Sequence, residues 1–391
     1  QKGFHMRMLN NLHYFQSTEK PLTEVLSLVG ENIPEMATEV SLGVLNVFSE
    51  QVLELSQSIA TAFPTIVEDI AAEAAVANPD DINDIVSGML MGSPAKAADI
   101  ALSVIKAVPE STAEVTVSMA TTAPELATEI AAEIVSQNPD LVSEVAGAMF
   151  VAVPDQIEDM VGTLINLDAE YAADIVSGAL MLDGVAPTVI ESVLSSNPEA
   201  RASVVNEVLS LESANENYNS VLINDILDIN PSIGISVASE MIGLLPDSAG
   251  QITENITSAF PELASEVTEN FISNQPDQSF EILSGAINGA PDQLNAFLVD
   301  AINIAAENNV DISNDVKDFA FETIKNNAEL SAEIISEMHE SQYLSSEELT
   351  NKLAQEYLEV ADLSKDSFND SKSKIPPQVC VFFFNFLKTI F

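Results

Sequence analysis

The chain has 391 residues, of which 61 are acidic and 13 are Lys or Arg, for a formal net charge of −48. That balance excludes nucleic acid as a partner, because a nucleic-acid binder needs a basic stripe to displace counterions. It repels an anionic membrane surface for the same reason. With 47% apolar residues, the chain has too much to bury to remain disordered despite its charge.

Residues 1–20 read as an N-terminal tail. Gln1–Tyr14 carries Lys2, Arg7, His5 and His13 and has no apolar core long enough for a secretory signal. Residues 21–183 then read as a regular helical repeat array. Pro64, Pro79, Pro94, Pro109, Pro124, Pro139 and Pro154 recur every fifteen residues, Pro34 falls in the same register, and Ser49 and Ala169 fill the slot where proline is missing. Taking the proline as position 0, apolar residues fall at +2 or +3, +6, +7, +10 and +11. The Pro124 unit shows them as Leu126, Ala127, Ile130, Ala131, Ile134 and Val135. Spacings of three and four mark one broad face of a helix. Strands are excluded, since no period-two alternation occurs.

Proline suits the first turn of a helix and pushes the residue before it out of the α region, ending the helix that precedes it. Asn78, Ser93 and Asn138 stand in that preceding slot as expected N-caps. Each unit therefore reads as one helix of about eleven residues plus a short turn. So short a helix is marginal alone, so units must pack on one another, and two of them make an antiparallel pair of thirty residues. The fold class is thus an all-α solenoid. A single continuous helix is the rival, and a proline in every fourth turn would cost it ~3 kcal/mol each time. The array resembles HEAT-like and TPR-like solenoids in architecture only, because its unit is shorter and their signature residues are absent.

Residues 184–230 read as irregular repeats: Pro187 and Pro198 break the spacing, and Glu212–Ser220 reads as an enlarged loop. Regular spacing resumes through Pro231, Pro246, Pro261, Pro276 and Pro291. Residues 231–361 are expected to hold helical repeats and C-terminal capping helices. A second irregularity falls around Glu307–Ser313, and Ser345–Glu348 forms a capping box. Residues 362–391 read as a polar linker and then an apolar tail with five Phe, too short to span a bilayer. No internal stretch reaches the ~18 apolar residues of a membrane span. Cys380, the sole cysteine, rules out an intramolecular disulfide. That leaves both a cytoplasmic and an extracellular or cell-surface location open.

The one feature able to carry chemistry is an acidic column at +5: Asp69, Asp84, Asp99, Glu114, Glu129, Glu144, Asp159 and Asp174. Paired with acids at +1, as in Glu125/Glu129 and Asp140/Glu144, it places like charges four residues apart. A ladder of carboxylates suits hard cations such as Ca²⁺. The plainer reading, a solvated helix start favoured by the helix dipole, carries more weight. Ala71, Ala101, Ala131 and Ala146 at +7 read as close packing, and Met89, Met91, Met149 and Met160 as core. With three His, one terminal Cys and no phosphate-cradling glycine loop, no catalytic set and no cofactor site is expected. The expected function is a scaffold that binds protein or peptide partners, cationic ones by charge. The alternative is a structural surface or matrix protein that assembles through its repeats with cation dependence.

Overall fold

A computed structural model describes residues 24, 26–29, 33–210, 216–293 and 297. Among these the chain is helical throughout, with no strand. Its contacts divide it into two compact units, Gln1–Ala214 and Asn215–Phe391.

In the first unit the helices are α1 Ala37–Val47, α2 Val52–Ala62, α3 Val67–Ala77, α4 Ile82–Gly92, α5 Ala97–Ala107 and α6 Thr112–Thr122. They continue as α7 Ala127–Gln137, α8 Val142–Ala152, α9 Ile157–Leu167, α10 Ala172–Leu180, α11 Ala186–Ser196 and α12 Arg201–Ser210. Most of the eleven-residue helices open at +3 behind a 3-10 turn at positions 0 to +2, as in Pro79–Asp81 and Pro124–Leu126, and the exceptions are α3 and α11. One residue separates consecutive units. At Asn138 it has φ −137° and ψ 74°, outside the α region, as a residue before proline must be. The turn closes through i→i+3 bonds, with the Leu126 N–H on the Ala123 carbonyl at 2.9 Å and the Leu141 N–H on the Asn138 carbonyl at 3.0 Å.

This geometry corrects the expected capping. Asn78 and Asn138 turn back rather than forward: each side-chain amide donates to the carbonyl four residues earlier, Ala74 and Ile134, at 3.1 Å. They close the preceding helix. Ser93 makes no side-chain cap, and its backbone N–H bonds the Met89 carbonyl at 2.9 Å.

Positions +3, +6, +7, +10 and +11 are buried in both kinds of unit, as with Ala127, Ile130, Ala131, Ile134 and Val135. Full burial of an Ile or Val side chain contributes about 1.5–3 kcal/mol, which is what holds helices too short to stand alone. Within the first unit each helix packs most extensively on a second neighbour and less on its immediate ones. The unit is therefore two rows: even-numbered helices beside one another, and odd-numbered helices beside one another.

The rows are not equivalent. In the even row a Cβ added at Gly88 would lie 2.6 Å from Ser56 Cβ, and one at Gly92 would lie 2.7 Å from Ala60 Cβ. Gly147 and Gly178 are as close, with a Cβ at Gly147 falling 2.8 Å from the Gly178 carbonyl oxygen. Where glycine is absent, small hydroxyls bridge the helices: Thr122 Oγ1 lies 2.9 Å from Ser87 Oγ, and Ser118 donates to Asn83. In the odd row Gly43 and Gly162 have nothing within 4 Å of a would-be Cβ. There, long side chains span the gap, as when Gln156 Nε2 donates to the Pro124 carbonyl at 3.0 Å.

The break after Ala169 is smaller than the proline spacing suggests. Helix α10 is two residues short, a turn follows with Gly184 at φ 72°, and α11 and the Pro198–Ala200 turn resume the pattern. The 29 residues from Ala169 to Pro198 are two units less one residue. Pro187 does not head a unit; it sits in the first turn of α11, where its missing N–H is tolerated.

The second unit holds α13 Glu216–Ile229, α14 Pro231–Leu244, α15 Ala249–Ala259, α16 Ala264–Asn274 and α17 Ser279–Gly289. Of the stretch expected as an enlarged loop, Glu216–Ser220 is the first part of α13. Helix α14 starts at its proline without a 3-10 turn, because Asn230 Oδ1 accepts from the Ile233 N–H at 3.4 Å and the Gly234 N–H reaches the Asn230 carbonyl at 3.0 Å. Close packing recurs between α15 and α17, where a Cβ at Gly289 would lie 2.6 Å from the Glu254 carbonyl oxygen. The expectations for the stretch around 307–313, the 345–348 capping box, the 362–374 linker and the 375–391 tail lie outside the described residues.

Candidate functional site

The acidic column does not form one ladder. Because successive units alternate rows, Asp69, Asp99, Glu129 and Asp159 lie on α3, α5, α7 and α9, and Asp84, Glu114, Glu144 and Asp174 lie on α4, α6, α8 and α10. Seven of the eight are exposed and Glu114 is half-buried. The i,i+4 pairing with the +1 acid straddles the junction of 3-10 turn and helix, so those pairs do not sit on one continuous α-helical face.

Crowding acts between helices instead. Asp174 has its carboxyl held above its ordinary pKa by partial burial first, then by Glu207 of α12 and Asp140 ahead of α8. Glu144 Oε1 accepts the backbone N–H of Ala113 at 3.1 Å, satisfying a free donor in the first turn of α6. Asp99 accepts from Lys96 Nζ at 2.8 Å, and Glu68 lies 3.6 Å from the same ammonium. These carboxylates hold Lys96 above its ordinary pKa, the Asp99 hydrogen bond being the largest influence. Among the described residues, no three His, Cys, Asp or Glu side chains converge to hold a metal ion. None of the described helices is long and apolar enough to cross a membrane.

Only three cations stand between Pro21 and Val316, namely Lys96, Lys106 and Arg201. Both lysines line a 1040 Å³ groove formed by α5 and the α7–α8 junction, together with Asp99, Gln137, Asn138 and Asp140. Lys106 is exposed and makes no ion pair among the described residues. The odd row is thus locally less anionic than the even row.

The even row carries a feature that the repeat count alone does not announce. Position +12 holds Thr61, Met91, Thr121, Val151 and Met181, all exposed, with Met91 at 48%, Val151 at 58% and Met181 at 80%. Met89, Met149 and Met160 are core as expected. Met91 is not: it lies two residues past Met89, on the outer face. In the odd row the same position holds Val76, Lys106, Ser136 and Asn166, with no apolar line. The signal that finds the even line is a thirty-residue spacing read separately from the fifteen-residue one. The even row thus carries a line of carboxylates and a second line of exposed side chains, Met91, Val151 and Met181 among them.

No protein-family model, curated protein or solved structure matches this chain.

Proposed function

We propose that this protein is a non-enzymatic repeat scaffold that binds basic protein or peptide partners along its helical rows. The supporting observation is the repetition of exposed carboxylates from helix to helix, on an array that holds three cations between Pro21 and Val316. A field of one sign speeds the encounter with oppositely charged partners and makes that encounter sensitive to salt. The +5 acids lie on helical elements whose backbones are fixed by a buried face, so the charges are presented at set intervals rather than on loose loops.

The test is a pull-down on the immobilised full chain at low and high salt, with the retained proteins identified by mass spectrometry. Retention of basic partners at low salt and their release at high salt is the expected result. Equal retention of acidic and basic proteins would sink the reading. Sedimentation separates it from end-to-end assembly: a scaffold stays monomeric as its concentration rises, while a matrix component forms filaments or sheets.

A further inference from the structure

We propose that the outer face of the even row, from α4 to α10, is a docking surface for a cationic amphipathic helix lying across the row, its basic edge on the +5 carboxylates and its apolar edge on the +12 side chains. This rests on the scaffold reading and narrows it to one face and one kind of partner.

Three lines of side chains define the surface. The first is acidic: Asp84, Glu114, Glu144 and Asp174. The third is Met91, Thr121, Val151 and Met181, which alternates large apolar residues with a threonine that presents a methyl group and ends in two consecutive apolar residues. Between them runs +8, where Ser87, Val117, Gly147 and Ser177 are half-buried and small or short. Positions +5 and +12 are seven residues apart, close to two full turns, so they share one face of α4, α6 and α8, and Met181 follows directly on the last residue of α10.

The dimensions fit one occupant. Seven residues at a 1.5 Å rise separate the acidic and apolar lines by ~10 Å, about the width of an α-helix with its side chains. The short +8 residues leave a floor between the two lines on which such a helix can rest. Along the row, neighbouring helices pack about 8–10 Å apart, so Met91 to Met181 covers roughly 24–30 Å, the length of a helix of about 16–20 residues. Close glycine and hydroxyl contacts between the even helices hold the spacing of both lines fixed, so the surface is formed before a partner arrives. Burying Met91, Val151 and Met181 gains apolar contact, while neutralising the acid line relieves repulsion of the kind that Glu207 and Asp140 exert on Asp174.

The odd row is the internal control. It has the carboxylates Asp69, Asp99, Glu129 and Asp159, but its +12 line is Val76, Lys106, Ser136 and Asn166, with one apolar residue of the four. A partner that reads charge alone binds both rows. One that reads charge and apolar surface together prefers the even row.

The experiment titrates the full chain with a labelled 18-residue Leu/Lys peptide of helical periodicity. A control peptide has every Leu replaced by Ser at the same charge, and binding is followed by fluorescence anisotropy. The expected result is at least tenfold tighter binding of the Leu/Lys peptide than of the Ser control. The triple variant Met91→Asp, Val151→Asp, Met181→Asp is expected to weaken Leu/Lys binding at least tenfold. Its added carboxylates would strengthen a purely ionic contact, so a loss isolates the apolar contribution. The variant Asp84→Asn, Glu144→Gln, Asp174→Asn should also bind less tightly and with a shallower salt dependence, whereas Asp69→Asn, Asp99→Asn, Glu129→Gln should stay within twofold of the wild type. Circular dichroism checks that each variant remains helical. Equal affinity for the two peptides, or equal losses from the two rows, overturns the docking face and leaves the charge-based scaffold standing. If neither peptide binds, both readings fall together.

Discussion

The two rows of the first unit are built from the same fifteen-residue rule yet differ in what they do with position +9. In the even row it is Gly88, Ser118, Ala148 and Gly178, all small, and a Cβ at either glycine would fall against the backbone of the preceding even helix. In the odd row it is Gly43, Glu73, Ser103, Glu133 and Thr163, of which both glutamates are exposed and Gly43 has nothing within 4 Å of a would-be Cβ. At Gly88 and Gly178 the absent side chain lets the preceding helix of the row approach to within reach of a Cβ, whereas Glu73 and Glu133 project into solvent. The lesson is that a helix needs five buried positions to join the array and a sixth to decide how close its row packs. The surfaces follow the same division: the even row carries the acidic and apolar lines, and α5 of the odd row borders the groove beside Lys106.

The largest expected effects test what the rows share. Ile85→Ala in the even row and Ile130→Ala in the odd row each remove a side chain at +6, one wholly buried and the other 1% exposed. Both should destabilise by about 2–5 kcal/mol in denaturant unfolding. A large difference between them would show that the core is not common to both rows.

Glycine substitutions come next, and here the rows should part. Gly88→Ala places a Cβ against the α2 backbone and should cost ~1–3 kcal/mol, as overpacking does. Gly43→Ala meets open space in mid-helix and should stabilise by roughly 0.5–1 kcal/mol. Thermal melts of the two single variants should therefore shift in opposite directions. Shifts of the same sign would remove the distinction between rows.

Salt should act on both rows together. With a net charge of −48, self-repulsion opposes the compact state, and added NaCl should raise the melting temperature. Screening over about 8 Å at physiological ionic strength reaches from one helix to its neighbour. Ca²⁺ at matched ionic strength should do no more than NaCl, because no three acids converge among the described residues. A larger effect of Ca²⁺ would restore the carboxylate column as a cation site.

The smallest expected effect is local to the even row. Asp174 has a raised pKa in the folded chain, so the folded state holds its proton more tightly than the unfolded state does. The sign follows: its contribution favours folding less as pH rises from the ordinary carboxylate range through the raised folded value, and stays unfavourable at neutral pH. Asp174→Asn should therefore raise the melting temperature slightly at pH 7 and lose that advantage in acid. Since Asp174 is exposed, solvent screens most of the effect. An equal gain at both pH values would point to packing instead of charge.

Much of this was legible in the residues. The proline register and the five apolar positions carry the fold class, the eleven-residue helices and the pairing of units. The 3-10 turn was not legible, because a proline tolerated at the first position of an α-helix is equally at home in a 3-10 turn. Asn78 and Asn138 mislead because an Asn before proline can serve the helix behind it as readily as the one ahead. The two rows escape a fifteen-residue reading, since averaging Gly88 with Glu73 and Ser103 erases the contrast that defines them. Met91 misleads for a related reason: it neighbours core residues in sequence, and its exposure depends on which side the next even helix approaches.

The arrangement of rows is tested most directly by a cross-link between second-neighbour helices. Ser87 and Thr122 lie on α4 and α6 with their hydroxyls 2.9 Å apart, so Ser87→Cys with Thr122→Cys in a Cys380→Ser background meets the reach of a disulfide. Mild oxidation of the dilute protein should close this bond within one chain, read as a loss of two free thiols without dimer formation. Two thiols that stay free and reactive, or that pair only between chains, would contradict the two-row array.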